Sequence, residues 1–336
     1  MLQTIGIAFG AGLASALLYL AVTAGTLLAI PLFYLAALPV MVAGLGWGTA
    51  SSWGAAAIGT LTAGIVLGPM IGVVYGLACG FPAAFLTRLA MLGRPAAPGA
   101  SDIEWYPEGR ILIWCAGFGI ALALLLVGFL GFDPERIATM FEKMIEAVNE
   151  SGGSVPSMPE GGEIDRVAAV LADMVPKAVA ALWTASTAFN LWLAARINQA
   201  SGRLTRPMPD MHALTLPAAG GAVLAAAVVT GLAGGALGIA GDVVAAAVIT
   251  IYALVGLSVL HAVTLGQPLR VFVLVSIYAF LILLTAWMAI PLAVLGLAES
   301  AFGLRRRAGR NPSPPSNPSG RRPPGRDDDT NDNQGD

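Results

Sequence analysis

Nine apolar runs of about 20 residues follow one another along this chain, near 4–23, 26–46, 48–67, 70–90, 110–131, 176–196, 213–235, 242–263 and 270–297. A helix of that length covers a hydrocarbon core of about 30 Å. Backbone in lipid has no water to bond, so each run must satisfy its own N–H and C=O groups, which a helix does and an open strand does not. The expected fold is therefore all-α: a polytopic transmembrane helical bundle of eight to ten spans over residues 1–304. With 57% hydrophobic and only 11% charged residues, the chain could not clothe a water-facing surface of ordinary polarity. The first run lacks a basic leader and is longer than a secretory h-region, so it reads as a retained span.

Arginines in the connections set the expected orientation. Arg88, Arg94 and Arg110 flank one connection, Arg196, Arg203 and Arg206 another, and Arg270 a third; all are expected on the cytoplasmic side. The 132–175 segment between the first two carries nine acidic residues against three basic ones and belongs on the opposite side. Nine crossings would leave Arg305, Arg306, Arg307 and Arg310 outside, against the rule. The run from Val271 to Leu304 is about 50 Å long as a single helix. Pro291 inside it is expected to split it into a crossing and a shorter piece. An even number of crossings, eight or ten, with both ends inside is the reading that follows.

Two segments stand apart from the runs. In 132–175, Asp133-Pro134-Glu135 has the composition of a helix start. Ile137, Met140, Phe141, Met144, Ile145 and Val148 then recur at helical spacing, and after a glycine-rich break from Ser151 to Gly162 a second stripe runs through Ile164, Val167, Leu171, Met174 and Val175. Two readings stand: an amphipathic pair lying on the bilayer surface, and a lid hinged at the glycines. The tail, 305–336, is rich in Pro, Ser, Asn, Asp and Arg, and its composition reads as disordered.

Little in the chain suits catalysis. His212 and His261 are far apart, Cys79 and Cys115 lie in apolar runs as core residues, and no metal-ligand spacing occurs. No phosphate-binding loop and no serine-nucleophile elbow are present. The chain is expected to have no enzymatic activity, no catalytic residues, no metal, no cofactor and no nucleic-acid partner. Gly64, Gly68, Gly72, Gly76 and Gly80 recur every four residues, which favours close helix packing, with a glycine-lined passage as the alternative. Polar groups within spans are the natural pointers to a site. Trp183, Ser186, Thr187 and Asn190 share one helix face, with Thr184 close by. They read either as bonds to neighbouring helices or as a substrate-binding surface for a small polar solute.

Three motifs carry a resemblance. They are Glu104-Trp105-Tyr106-Pro107-Glu108-Gly109-Arg110, then Asn190 to Arg196 followed by Ser201 to Asp210, and Gly296 to Leu304 before an arginine cluster. Over about residues 1–305 the chain resembles the YybS-like family of bacterial inner-membrane proteins, whose function is unknown; Met208 stands where the family pattern often has Trp. That family is distantly similar to the substrate-binding membrane subunits of energy-coupling-factor transporters. The resemblance implies a multi-pass protein of the bacterial inner membrane with a cytoplasmic tail and a solute-binding or transport role, and it carries over no substrate. Read physically, Trp105 and Tyr106 suit an interfacial aromatic belt. Arg110, Arg196, Arg203 and Arg206 are expected to meet Glu104 or Asp210 in an ion-pair network, or to offer a site for an anion or a soluble partner. The expected partners are membrane lipids, other membrane or cytoplasmic proteins, and an unidentified solute. The competing role is a scaffold for envelope or division machinery.

Overall fold

A computed structural model describes residues 2–96, 102–150, 162–211, 214–217 and 219–307. The glycine-rich break, His212 and the tail from residue 308 onward lie outside the described residues. The first half comprises α1 (Leu2–Leu20), α2 (Ala29–Tyr34), α3 (Leu38–Trp47), α4 (Thr49–Leu67), α5 (Pro69–Tyr75) and α6 (Phe81–Ala90), with a π-helical turn over Gly76–Gly80 between the last two. A small antiparallel hairpin, β1 (Gly93–Pro95) with β2 (Ile103–Trp105), leads into α7 (Glu108–Leu130). The rest is α8 (Pro134–Glu150), α9 (Gly162–Ala200), α10 (Gly220–Gly231), α11 (Gly235–Val263), α12 (Arg270–Phe302) and α13 (Leu304–Arg307). The architecture is an all-α bundle, and among the described residues 7 helical segments are long and apolar enough to cross a bilayer.

The exterior is apolar in a way water would not tolerate: Leu2, Ile65, Phe129, Phe272 and Leu283 are all exposed. The interior is filled largely by alanine and glycine, because in lipid the helices gain by close backbone approach rather than by hiding large side chains. The glycine repeat is such a seam. A Cβ on Gly72 would lie 2.7 Å from Gly64 Cα, and one on Gly76 would lie 3.1 Å from Thr60 Oγ1, so α4 and α5 meet backbone to backbone. Gly68, at φ +102°, makes the turn between them in a conformation that L side chains rarely adopt. Deeper in, Ser15 donates to Ala36 O at 2.5 Å and meets the Tyr75 hydroxyl at 2.5 Å, tying α1 to the chain between α2 and α3 and to α5.

Three expectations need correction. The 26–46 run is two helices, α2 and α3, set apart by the turn at Leu35. The 213–235 run supplies only the 12 helical residues of α10. Residues 214–217 are non-helical: Thr215 O packs against Gly109 of α7, and Leu214 O accepts from Arg305, a bond that an uninterrupted helix would have consumed. Finally, Pro291 does not split the last run: α12 is continuous over 33 residues. One missing N–H inside a long helix is offset by packing on neighbours, here the tight crossing of Gly256 and Gly296 one turn later. Arg305 lies near Arg206, because Leu214, which accepts from Arg305, also lines a pocket with Arg206.

The insert is a packed helix pair. Glu135 N–H donates to Asp133 Oδ1 at 3.1 Å at the start of α8. Ile137 is fully buried with Val127 of α7 and Ala172 of α9, while Met140 and Met144 stay exposed. The second stripe is the beginning of α9, which runs on through Pro176 to Ala200 as one 39-residue helix.

Candidate functional site

The polar face of α9 comes first. Trp183 Nε1 donates to Ala78 O at 2.9 Å, and Asn190 Nδ2 donates to Tyr34 O at 2.7 Å, so both bridge to other helices. Thr184 and Ser186 turn back onto their own helix, donating to Ala180 O and Trp183 O. Trp183, Ser186, Thr187 and Asn190 surround a cavity of about 10 Å³ with Phe33, Tyr34 and Cys79, room for a single water at most. Asn190 Oδ1 is buried there without a protein partner. The face therefore joins α9 to the first half of the bundle. Trp183→Phe keeps an aromatic ring but removes one bond and part of the indole, which should lower stability by about 1 kcal/mol or more, read as a drop in the unfolding midpoint in detergent.

The motif end of the bundle is organised by Arg206. Its side chain is 5% exposed. Nη1 donates to Ala90 O at 2.9 Å, Nη2 binds the Glu108 carboxylate, and Nε is buried with no partner. The guanidinium carbon lies 5.8 Å from the Trp105 ring centre, within reach of a cation–π contact. Burial pulls the Arg206 guanidinium below its ordinary range, with Glu108 opposing that pull; it stays charged because that range lies far above neutrality. Glu108 itself sits in the first turn of α7, where the helix dipole favours a carboxylate.

The ion-pair network differs from the expected one. The β1–β2 register sets Arg94 opposite Glu104, and the two pair at 2.9 Å in the open, so Glu104 is not a partner of the four motif arginines. Arg203 stacks on Trp47 at 4.5 Å, and Arg196 donates to Gln199 at 3.1 Å. Arg110 is exposed and lines a shallow groove of about 310 Å³ with Arg94, Glu104, Trp105, Tyr106 and Pro107. Asp210 is exposed on the strand of chain beyond Arg206. Sequence reasoning missed Glu108, although its place after Pro107 at a helix start marks it as an acid held near positive backbone.

Beside Arg206 opens an apolar pocket of about 80 Å³ walled by α3, α6, α7 and α9 and by Leu204, Met208, Pro209, Met211 and Leu214. Its lining includes Ile111, Leu112, Cys115, Leu191, Trp192 and Met208, with Arg206 and Glu108 as the charged members. At the other end, Lys177 lies between Asp173 at 2.6 Å and Asp242 at 3.3 Å. A cavity of about 260 Å³ adjoins them under α8. A third ion pair is buried: Arg305 Nε donates to Glu299 Oε1 at 2.9 Å, its Nη2 to Leu214 O at 2.7 Å, and its backbone N–H to Glu299 Oε2 at 3.0 Å. Among the described residues no group of His, Cys, Asp and Glu could hold a metal ion. No family model, curated protein or solved structure matches this chain.

Proposed function

We propose that this protein is a solute-binding component of a bacterial cell membrane, of the kind its YybS-like motifs suggest. The observation that carries this reading is the Arg206 pocket: a buried guanidinium with an unmade bond, facing an apolar space of about 80 Å³. An unsatisfied buried N–H costs about 1–3 kcal/mol, and here a ligand acceptor entering the adjoining space can satisfy it. In this reading Arg206 and Arg305, which meet around Leu214, share the cytoplasmic side.

The test is thermal unfolding of the purified full-length protein against a panel of carboxylic acids, amines, vitamins, ions and lipid precursors. A solute present at 100 times its dissociation constant stabilises by about 2.7 kcal/mol, so one class should raise the midpoint by several degrees. Leu191→Trp, which fills the pocket, should abolish the rise. A panel in which nothing shifts the midpoint overturns the reading. A membrane scaffold is the second reading, favoured by the Trp183–Asn190 face, whose bonds close helix onto helix. It predicts protein partners that co-purify after crosslinking in the membrane, and recovery of background alone refutes it.

A further inference from the structure

We infer that the ligand of the Arg206 pocket is an amphipathic monocarboxylate, and that Glu108 is the internal anion it displaces. This inference rests on the binding role proposed above.

A guanidinium presents its N–H groups as a planar fork that matches two carboxylate oxygens at once. In Arg206 that fork is half used. Nη2 holds one oxygen of Glu108, and the adjacent Nε, on the same edge, is buried and free of any protein acceptor. An incoming carboxylate can take both nitrogens, which Glu108 does not. Glu108 is also poorly retained, since its side chain is 41% exposed while that of Arg206 is 5% exposed, and a carboxylate at a wet edge is weakly held. It can swing into water, whereas Arg206 stays fixed by its bond to Ala90 O.

The walls define the rest of the ligand. Ile111, Leu112, Cys115, Leu191 and Leu204 offer no hydrogen bonds from their side chains, and Met208 gives a deformable rim. A space of about 80 Å³ is roughly half that of a cavity that takes benzene. A short alkyl chain fits, and a sugar or a nucleobase would leave its polar groups unpaired. A cationic head would face Arg206, and inorganic phosphate would bring nothing to fill the apolar part. Such an acid can arrive from water as a short-chain acid or from the bilayer as a fatty acid; the carboxylate and the first few carbons are shared, and the remainder of a longer chain extends out of the space.

The experiment is calorimetric titration of the full-length protein in zwitterionic nanodiscs. Hexanoate is compared with hexan-1-ol, hexylamine and inorganic phosphate, and oleate is added in a separate arm. Hexanoate or oleate should bind roughly tenfold or more tighter than the uncharged and cationic probes, the margin of a charge-assisted hydrogen bond. Glu108→Gln, which removes the competing charge, should tighten the acid by about tenfold. Arg206→Lys keeps the charge but loses the fork, and should weaken it by a similar factor. Binding of oleate alone assigns the bilayer as the source, and binding of hexanoate assigns water. Equal binding of hexan-1-ol and hexanoate, or an acid affinity unmoved or weakened in Glu108→Gln, overturns the monocarboxylate assignment and leaves the pocket a binding site. If no probe of any charge binds, the binding role itself fails.

Discussion

Arg305→Ala should lower the free energy of unfolding by about 3–5 kcal/mol, the usual result of removing one partner from a buried ion pair. Glu299 and Arg305 are 8% and 3% exposed, and the arginine also donates to Leu214 O, so its loss strands both a carboxylate and a carbonyl. The cost does not mean that the pair is a large net source of stability. Desolvating two charges nearly offsets their attraction, and a well-packed apolar pair in the same place is often neutral. The double variant Glu299→Leu/Arg305→Met should therefore recover most of what the single variant loses. Detergent-unfolding curves of the three proteins decide the matter. A single-variant loss below about 1 kcal/mol would mean that the pair is screened by solvent, contrary to its burial.

Gly256→Val should be nearly as severe, at roughly 3 kcal/mol or more, with loss of folded protein from the membrane fraction. A Cβ at Gly256 would fall inside the contact radius of Leu292 O and 2.8 Å from Leu292 C, and one at Gly296 would collide with Tyr252 O. These are backbone atoms, so no rotamer change relieves the clash and α11 must separate from α12. Separation would open the cluster containing Tyr252, Val255, Leu292 and Ala293, all within a few per cent of full burial. Size-exclusion profiles and unfolding midpoints measure the effect. A Gly256→Val protein as stable and monodisperse as the parent would show that the crossing is not tight.

What the sequence disclosed and what it hid follow from how far each signal reaches. A run of apolar residues reports its own need for lipid or protein, so the helical character of the chain was legible run by run. Breaks within runs were not, because they depend on distant partners. The chain before α10 leaves the helix to bond Arg305, some 91 positions away. Pro291 reads locally as a breaker, yet α12 continues through it, packed on α11 at Gly256 and Gly296. The site divides in the same way. Arg206 stands out as a motif arginine, but its carboxylate partner lies 98 positions away and is chosen by the approach of α7 to the chain after α9. Arg305 looks like a topological charge, and only its burial against Glu299 and Ser258 shows that it is part of the interior. The Trp183 and Asn190 side chains could be placed on one helix face from spacing alone. Whether that face opened to a solute depended on α2 and the π-turn, which the spacing does not contain.

Helix α9 has a mechanical consequence. Its 39 residues span about 58 Å, nearly twice the thickness of a bilayer's oily layer, so it must project well beyond it. Its first half carries Lys177 between two aspartates beneath α8, and its second half walls the Arg206 pocket through Leu191, Trp192 and Ala195. Such a rod acts as a lever with its fulcrum where Gly119 of α7 presses on Ala180 and Thr184. A tilt of 10° about that contact moves Leu191, about 14 Å along the axis, by about 2 Å. A tilt that moves Asp173 and Lys177 therefore moves Leu191 and Trp192 in the opposite sense.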